Sequence, residues 1–486
     1  KEEIVTTNIK YTIERLGKYK KEVSIKIKPL TKESLEYNKV INLWFHEANE
    51  SIKMKDIEVC KLSGECKKRN KDDFALEKES SDGLGYSGST KLKFAIKNFH
   101  TGDTLRYKYT LIHNSANSLP FSKRFILGFS EYETDSSLEV ESKIPIYKKI
   151  NQKSFFEVFG DDYNFKIIQK KPVYKRFNNQ YMSSVTVPYD SYPSIKISST
   201  KNWKELSKTI KKFFKKSNYT IDLPGLNIKK TSKIDKIIYS FKWIKDRFTY
   251  FGDWRQDNAG IKPREIKEII RSKYGDCKDL SRLLVYILKK LGIESSIALV
   301  HRSNIPDKST YSLPGLYYFN HAIVYIDDGH KEYWIDPTNN YIGLNHTPQD
   351  ILSKKALILS GKNAGITTIS TRDNIQAKTT ITTTITAKGD LFTMERAENI
   401  NGTDAIFFTG DSSKSSKNII KRNIRDYINN KLNGDIEKIE FDLGDGIVLD
   451  EKSFNVRYKT EDFFKLSAGD QHIYAIRDNG LYKDLS

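Results

Sequence analysis

Apolar and polar residues alternate in short runs along the first 200 residues of the chain, and turn residues separate these runs. Residues 23–28, 92–96 and 104–112 are three examples. Alternation of this kind is typical of strands that bury one face. It predicts an antiparallel, sandwich-like β domain over residues 1–200, with a long mobile loop over the polar and charged residues 67–87.

The apolar spacing changes to a helical period after residue 200. Apolar residues then recur every three or four positions in four segments, residues 203–214, 232–248, 263–270 and 280–291. At least three strands are expected after the last of these helices, up to about residue 362. The pattern therefore predicts a separate core domain over residues 201–362.

Residues 363–486 return to a strand pattern and are predicted to form a C-terminal β-rich domain. Residues 379–387 have strand composition, Lys388-Gly389-Asp390 is a turn sequence, and residues 391–395 would complete a hairpin. A helix is predicted near residues 416–432, followed by two or three strands.

One cysteine stands at the start of the fourth predicted helix. Cys277 follows Asp276 directly, and the apolar helical run begins at Leu280. Unpaired backbone N–H groups and the helix dipole at such a position favour a thiolate. Further along, His321 opens one predicted strand and Asp336 ends another. A thiol, an imidazole and a carboxylate at the ends of regular elements are what nucleophilic thiol catalysis requires.

These motifs resemble those of the bacterial transglutaminase-like (papain-like cysteine) superfamily. The resemblance covers about residues 230–360 and rests on G-D-C-K-D at residues 275–279, N-H-A-I-V-Y at residues 320–325 and W-I-D-P-T at residues 334–338. It implies an α+β multidomain fold. In that fold a papain-like or transglutaminase-like α+β core lies between an N-terminal antiparallel β-sandwich-like domain, of a type without known function, and a C-terminal β-rich domain.

The resemblance also implies a role for each candidate residue. Cys277 would attack an amide carbonyl to form a thioester. His321 would accept the thiol proton and later protonate the leaving amine, while Asp336 would orient the imidazole. The Cys277 backbone N–H is a natural donor to the oxyanion. Related enzymes use a side chain upstream of the cysteine as the second donor, and Trp254 and Tyr250 are the candidates here. No cofactor is expected.

Three function classes remain open. The first is a transglutaminase-like cysteine enzyme that acts on amide bonds by transamidation or by hydrolysis. The second is a papain-like cysteine peptidase of the cell envelope, and the third is a catalytically idle binding or scaffold protein. The intact Cys-His-Asp set favours the first two, whose substrate would be a protein or peptide with an amide side chain or a peptide bond. Residues 304–320, directly before His321, are predicted to border the cleft.

The other two cysteines are close in sequence. Cys60 and Cys66 flank a short segment that contains Ser63-Gly64, which favours a turn. The turn would allow a small disulfide-closed hairpin, and the alternative is two reduced thiols. A disulfide would indicate an oxidising compartment and would leave Cys277 as the free thiol. No metal site is expected, because neither a zinc-ligand pattern nor a calcium-binding loop occurs in the sequence.

The net charge of +20 comes mostly from lysine. It allows two interpretations, attraction to an anionic envelope polymer or a lysine-rich composition that only leaves solvated faces. The sequence contains no zinc-finger spacing and no glycine-rich phosphate loop, which argues against specific nucleic-acid recognition. No apolar run reaches the roughly 18 residues of a transmembrane span. The first residues do not form a signal peptide, but the chain could be the trimmed form of an exported protein. The expected location is extracytoplasmic (periplasmic or secreted, in a bacterium), as the disulfide would indicate.

Overall fold

A computed structural model describes residues 3–79, 83–128, 131–174, 192–214, 223, 226, 232–257, 259–303, 310–344, 347–348, 350–369, 378–388, 391–401, 418, 421–422, 425–426, 434–442, 453–460, 463–468 and 471–476. Within these residues the chain folds mostly into β-strands, and the longer helices lie in the middle of the sequence. None of the helices in these ranges has the length and apolar character needed to cross a bilayer.

The described part of the N-terminal region is built from short and medium strands with one α-helix and one 3-10 turn (Lys153–Phe155). Its elements are β1 (Glu3–Arg15), β2 (Lys18–Pro29), α1 (Lys32–Asn38), β3 (Val40–His46), β4 (Glu50–Cys60), β5 (Cys66–Lys68), β6 (Ala75–Lys78), β7 (Gly85–Tyr86), β8 (Ser89–Ala95), β9 (Thr104–Asn114), β10 (Ser122–Ile126), β11 (Tyr132–Glu133), β12 (Ser137–Ser142), β13 (Tyr147–Asn151), β14 (Phe156–Gly160), β15 (Asn164–Gln169) and β16 (Ser194–Ser198).

Most of these strands belong to one nine-stranded sheet and two three-stranded sheets. The large sheet has the order β14-β15-β12-β1-β2-β9-β4-β5, with β11 also paired to β1. It packs with the sheet β10-β16-β13 around a core that includes Tyr11 and Ile197. A second core, which includes Ile57 and Leu92, lies between the large sheet and the sheet β3-β8-β6.

The middle region combines four α-helices with short strands and two 3-10 turns (Lys212–Phe214 and Leu316–Tyr318). Its elements are α2 (Trp203–Lys211), α3 (Lys233–Arg247), β17 (Thr249–Tyr250), β18 (Gly252–Asp253), α4 (Ile266–Ser272), β19 (Tyr274–Gly275), α5 (Cys277–Lys290), β20 (Ser296–Val300), β21 (His321–Asp327), β22 (Glu332–Ile335), β23 (Lys355–Ile358) and β24 (Gly365–Thr368).

A five-stranded antiparallel sheet supports this region, in the order β22-β21-β20-β23-β24. Helix α5 packs on β21, and α3 and α4 pack on α5. The side chains of Leu283, Leu284 and Ile287 on α5 are fully buried, as their three- and four-residue spacing predicts. The Ser281 hydroxyl donates to the Ala322 carbonyl at 3.0 Å, which ties the helix to the strand.

Helix α5 begins at Cys277 because Asp276 caps it. The Asp276 carboxylate accepts the backbone N–H of Asp279 at 3.2 Å, which satisfies one of the donors that a helix start leaves open. Gly275 is needed just before the cap, since a Cβ there would lie 2.8 Å from the Cβ of Asp279. The residues around the cysteine therefore form a tight helix start that fixes the position of its first side chain.

The C-terminal region contains the remaining strands. They are β25 (Lys378–Lys388), β26 (Leu391–Asn401), β27 (Gly434–Asp442), β28 (Ser453–Thr460), β29 (Phe463–Ala468) and β30 (Gln471–Ile476). Strands β25 to β28 form a four-stranded sheet in the order β25-β26-β28-β27, and β29 pairs with β30. The predicted hairpin is confirmed, because β25 and β26 pair antiparallel. The apolar face of the helix predicted near residues 416–432 lies outside the described residues, although the described positions there are helical and exposed: Asn418, Lys421, Arg422, Arg425 and Asp426.

The fold class expected from the sequence is wrong. We expected an α+β fold built on a papain-like or transglutaminase-like core, whereas the chain is mostly β with large multi-stranded sheets. Helical periodicity is a strong signal, but α2 to α5 are confined to residues 203–290, and sheets make up most of the remaining described chain. The large N-terminal sheet is also not wholly antiparallel, because β1 runs parallel to β11 and β12.

Two further expectations concern segment limits. Residues 67–87, expected to be a mobile loop, contain the strands β6 and β7, which pair with β8 and β18. The two strands are only four and two residues long, so alternation could not reveal them. The division into domains 1–200, 201–362 and 363–486 stays a prediction. Strand β24 pairs with β23, so the five-stranded sheet itself extends to Thr368.

Candidate active site

The structure brings Cys277, His321 and Asp336 together at one end of the five-stranded sheet. Cys277 is the first residue of α5, His321 is the first residue of β21, and Asp336 directly follows β22, the neighbour of β21. The His321 Nε2 atom donates to Asp336 Oδ2 at 2.7 Å. The Cys277 side chain lies close enough to the same imidazole to raise its pKa.

The charge of His321 is set by these two neighbours. Burial alone would lower the pKa of His321, but Asp336 and Cys277 together raise it to about 10, from an ordinary value of 6.5. The imidazole is therefore protonated at neutral pH. A protonated imidazole can give its proton to a leaving amine.

Asp336 is buried and fully hydrogen-bonded. Its Oδ2 accepts from His321 and, at 2.9 Å, from the Arg302 guanidinium. Its Oδ1 accepts from the backbone N–H and the hydroxyl of Thr338, at 2.9 and 2.7 Å. Burial would raise the pKa of this carboxyl, but His321, Arg302 and Thr338 hold the pKa below its usual range. Asp336 is therefore a fixed negative charge behind the imidazole.

Arg302 belongs to this arrangement, and sequence analysis missed it. Its Nε donates to Asp350 at 2.6 Å, and the guanidinium group that reaches Asp336 also donates to Asn339 at 3.1 Å. Asn320, the residue before His321, holds the Arg302 backbone at both its N–H (2.8 Å) and its carbonyl (3.1 Å). No local sequence pattern marks Arg302, because its place in the site depends on the strand pairing that puts the end of β20, two residues earlier, opposite the start of β21.

The thiol stands in a largely apolar environment. Cys277 is half-buried and, like Leu316 and Phe319, packs on a buried cluster from α2 and the five-stranded sheet, formed by Leu206, Ile210, Ile297, Leu299, Ala322, Leu357 and Leu359. Leu316 and Phe319 belong to the segment predicted to border the cleft. That role stays a prediction, and residues 304–309 of the segment lie outside the described residues.

The two candidate oxyanion donors lie on a segment that runs beside the start of α5. The Trp254 indole N–H donates to Asp276 Oδ2 at 2.8 Å, and the Lys278 ammonium donates to the same oxygen. Tyr250 lies in β17, opposite Gly275 of β19. The Trp254 side chain and the Tyr250 backbone are therefore near the start of α5, but the Trp254 donor is engaged by Asp276 in this structure. The role of either residue at an oxyanion stays a prediction.

The remaining cysteines lie far from this site in the sequence. Cys60 and Cys66 are directly opposite each other in the hairpin β4–β5, and their sulfurs are joined at 2.06 Å. Cys277 is left as the free cysteine.

A cavity of about 270 Å³ lies elsewhere, between the large N-terminal sheet and the sheet β10-β16-β13. Most of its lining is apolar, including Ile9, Phe125 and Ile195, and Glu133 is the buried acidic residue in its wall. The cavity is lined entirely by N-terminal residues, so it is separate from the cysteine site.

Comparison with known proteins gives information about the fold and little about the chemistry of the candidate site. Residues 16–171 match a family model described as a domain of unknown function with a solved structure (DUF3857). That model is not one of the transglutaminase-like superfamily that the motifs resemble. The chain is similar to a candidate protease from Parabacteroides distasonis ATCC 8503, with 13% identity over 94% of this chain and 93% of that one, and a TM-score of 0.60. At this identity the likeness shows a shared fold. A comparison with curated proteins finds no match.

Two other solved structures are more distant. An M1 zinc metallopeptidase from Deinococcus radiodurans shares 8% identity over 52% of this chain and 56% of that one, with a TM-score of 0.22. A family 3a carbohydrate-binding module from Clostridium thermocellum shares 8% identity over 23% of this chain and 76% of that one, with a TM-score of 0.16. Likenesses at these scores carry no argument about fold or function.

Proposed function

We propose that the protein is a cysteine enzyme that breaks amide bonds through Cys277, His321 and Asp336, with peptide bonds as the preferred substrate. The observation that carries this proposal is the His321 imidazole, which is held between a free thiol and a buried carboxylate whose charge is fixed. The fold likeness to a candidate protease, which extends over nearly the whole chain, supports a peptide substrate.

In the proposed mechanism each of the three residues has a defined role. The Cys277 thiolate adds to the amide carbonyl carbon, and the carbonyl oxygen becomes an oxyanion near the start of α5. The C–N bond then breaks, and the imidazolium of His321 gives its proton to the leaving amine. Water attacks the resulting thioester, His321 takes a proton from that water, and the acid product leaves with the thiol restored. Asp336 stays ionised throughout and keeps the imidazole oriented.

Transfer to a second amine, as in a transglutaminase-like enzyme, is the competing outcome for the same thioester. The apolar cluster against which Cys277, Leu316 and Phe319 pack favours it, because a site poor in water slows hydrolysis. Trp254 would assist either outcome as an oxyanion donor only after its N–H exchanges Asp276 for the substrate oxygen.

Thiol labelling provides the first test. Full-length protein is treated with iodoacetamide across pH 5 to 9, and uptake is followed by intact mass in the wild type and in His321→Ala. We expect rapid labelling of Cys277 at pH 6 that is lost in the variant. Cys60 and Cys66 serve as an internal control, because a disulfide does not alkylate. Equally slow labelling of both proteins at pH 6 would contradict the thiolate–imidazolium pair.

A substrate screen then separates the outcomes. Peptide libraries are incubated with the protein, with and without a fluorescent primary amine, and products are identified by mass. Cleavage without amine incorporation indicates a peptidase, whereas incorporation indicates transamidation. Cys277→Ala is expected to abolish either activity and to change the free energy of unfolding by no more than about 1 kcal/mol, because the side chain is small and half-buried. Turnover that persists in this variant would remove Cys277 from the mechanism.

The cellular location stays a proposal of the same kind. The disulfide between Cys60 and Cys66 supports an oxidising, extracytoplasmic compartment such as the periplasm or the cell exterior.

A further inference from the structure

The segment of residues 249–257, called here the Trp254 segment, lies between the N-terminal sheets and the start of α5. On the side of α5, strand β17 pairs with β19, and the Phe251 N–H donates to the Gly275 carbonyl at 3.1 Å. The Trp254 indole N–H reaches Asp276, the cap of α5. This segment therefore touches the residues that fix the position of Cys277.

N-terminal residues hold the other side of the same segment. Strand β18 pairs in parallel with β7, and the Trp254 backbone N–H donates to the Tyr86 carbonyl at 2.9 Å. The Trp254 carbonyl accepts from His46 Nε2 at 2.6 Å. Because His46 Nδ1 accepts the Ala48 N–H at 3.3 Å, the neutral tautomer with its proton on Nε2 satisfies both bonds. Both backbone groups of Trp254 are thus bound by residues more than 150 positions earlier in the chain.

The Trp254 ring is seated just as closely. A Cβ at Gly85 of β7 would lie 2.8 Å from the indole ring, and a Cβ at Gly88 would lie 2.4 Å from the His46 imidazole. Glycine at these two positions is what lets β7 approach the ring and lets His46 reach the Trp254 carbonyl. The Trp254 segment therefore packs closely against β7 and His46.

A third contact fixes the end of the segment. The carboxylate of Asp257 accepts from the Asn49 amide at 2.7 Å, the Ser115 hydroxyl at 2.9 Å and the Asn117 amide at 3.1 Å. These three donors are neutral and come from two separate N-terminal turns, one before β4 and one after β9. We call them the Asp257 socket. Their convergence on one carboxylate sets the register of the segment against the N-terminal sheets.

We infer that the N-terminal β region is part of the catalytic unit: His46 and the Asp257 socket are positioning residues that place Trp254, whose indole N–H sets the cap of the helix carrying Cys277. This inference rests on the proposed function and assigns the N-terminal region a role in it. It also means that displacement of the N-terminal sheets would move the Trp254 indole N–H, a candidate donor to the substrate oxyanion.

A double-mutant cycle in the full-length chain tests the inference. Trp254→Phe keeps an aromatic ring and removes the N–H, while Asp257→Ala empties the socket. We expect each to lower kcat about 10-fold with little change in KM, since a small displacement near the reacting groups is costly. If the socket acts through Trp254, the double variant loses no more than Trp254→Phe alone. Additive losses, or wild-type kcat in folded Asp257→Ala, would overturn the inference. Glu139→Ala, a carboxylate on β12 paired with Lys10, is the matched control.

A second measurement does not depend on any substrate. Hydrogen exchange followed by mass spectrometry is expected to show faster exchange at the first turn of α5 in Asp257→Ala, with unchanged exchange in β20 and β21. Unchanged exchange at the first turn would overturn the inference even if no substrate is found. If Asp257→Ala does not fold, Ser115→Ala removes one of the three donors and is measured in its place. Failure of the proposed function would appear differently, as turnover that survives Cys277→Ala.

Discussion

Asp336 in the middle region and Glu133 in the N-terminal region are both buried carboxyl groups, with exposures of 5% and 7%. Their pKa values are nevertheless shifted in opposite directions. The pKa of Asp336 lies below its usual range, whereas burial raises the pKa of Glu133 to about 7. Equal burial therefore leads to one group that is always charged and one that changes charge near neutrality.

The partners account for the difference. Asp336 has the cationic Arg302 and His321 on one oxygen. Among the described residues, the Glu133 carboxyl accepts from the Ser136 hydroxyl at 2.9 Å and the Gly128 N–H at 3.2 Å, and Glu131 disfavours its charge further. The two cations compensate the Asp336 carboxylate for the hydration that it loses on burial, whereas the neutral donors do not compensate Glu133. Asp336 is thus a fixed charge that can orient an imidazole, whereas Glu133 is not.

The largest expected effect is on turnover. Asp336→Asn is expected to lower kcat on a peptide substrate about 1,000-fold, because a neutral amide cannot keep the imidazole protonated and oriented as the carboxylate does. His321→Ala is expected to cost more, since it removes the group that transfers the proton. Glu133→Gln is the matched control and should leave kcat unchanged. A loss in Asp336→Asn that equals or exceeds the loss in His321→Ala would mean that Asp336 does not act by orienting His321.

The next effect is on stability in alkaline solution. His321 has a folded-state pKa of about 10, above its ordinary value of 6.5, so its contribution is fully present below pH 6.5 and is lost as pH rises towards 10. Urea unfolding should show a fall of about 3 kcal/mol across this window that is absent in His321→Ala. Both proteins are measured in the Cys277→Ala background as well, so that titration of the thiol is separated. The same fall in His321→Ala would assign it to another group.

The smallest effect concerns Glu133. Its pKa is raised from 4.5 to about 7, so the stability linked to its neutral form is present below pH 4.5 and is lost as pH rises through 7. Glu133→Gln should raise the free energy of unfolding at pH 8 by about 2 kcal/mol and have little effect at pH 4.5. The amide keeps an acceptor for Ser136 and Gly128. Destabilisation at pH 8 would show that the ionised carboxylate is favoured there, as it is for Asp336.

The local parts of the candidate site could be predicted from sequence. Cys277, His321 and Asp336 each stand at the end of a regular element, and apolar spacing alone locates α5 and the strands on either side. The helices α2 to α5 were also foreseen, because each buries one face with a clear period. The position of each residue along its element was thus readable without knowledge of the tertiary structure.

The rest depends on contacts between distant parts of the chain. Arg302 matters because β20 ends opposite the start of β21, and His46 matters because it meets Trp254 from 208 residues away. The fold class was wrong because helical periodicity in the middle region outweighed many short strands on either side. Pairing partners, and the parallel run of β1 beside β12, are set by the tertiary fold and leave no local pattern.

The hydrogen bond from His46 to Trp254 also bears on the order of events when the chain is made. Its two ends are separated by 208 residues, and β1 needs β12, also more than 100 residues later. At synthesis rates of roughly 5–20 residues per second, several seconds pass between the synthesis of His46 and β1 and the synthesis of their partners Trp254 and β12. Helix α5 is made after all of the N-terminal strands, and Arg302, His321 and Asp336 come later still. A nascent chain therefore carries Cys277 before the neighbours that the proposed mechanism assigns to it have been made.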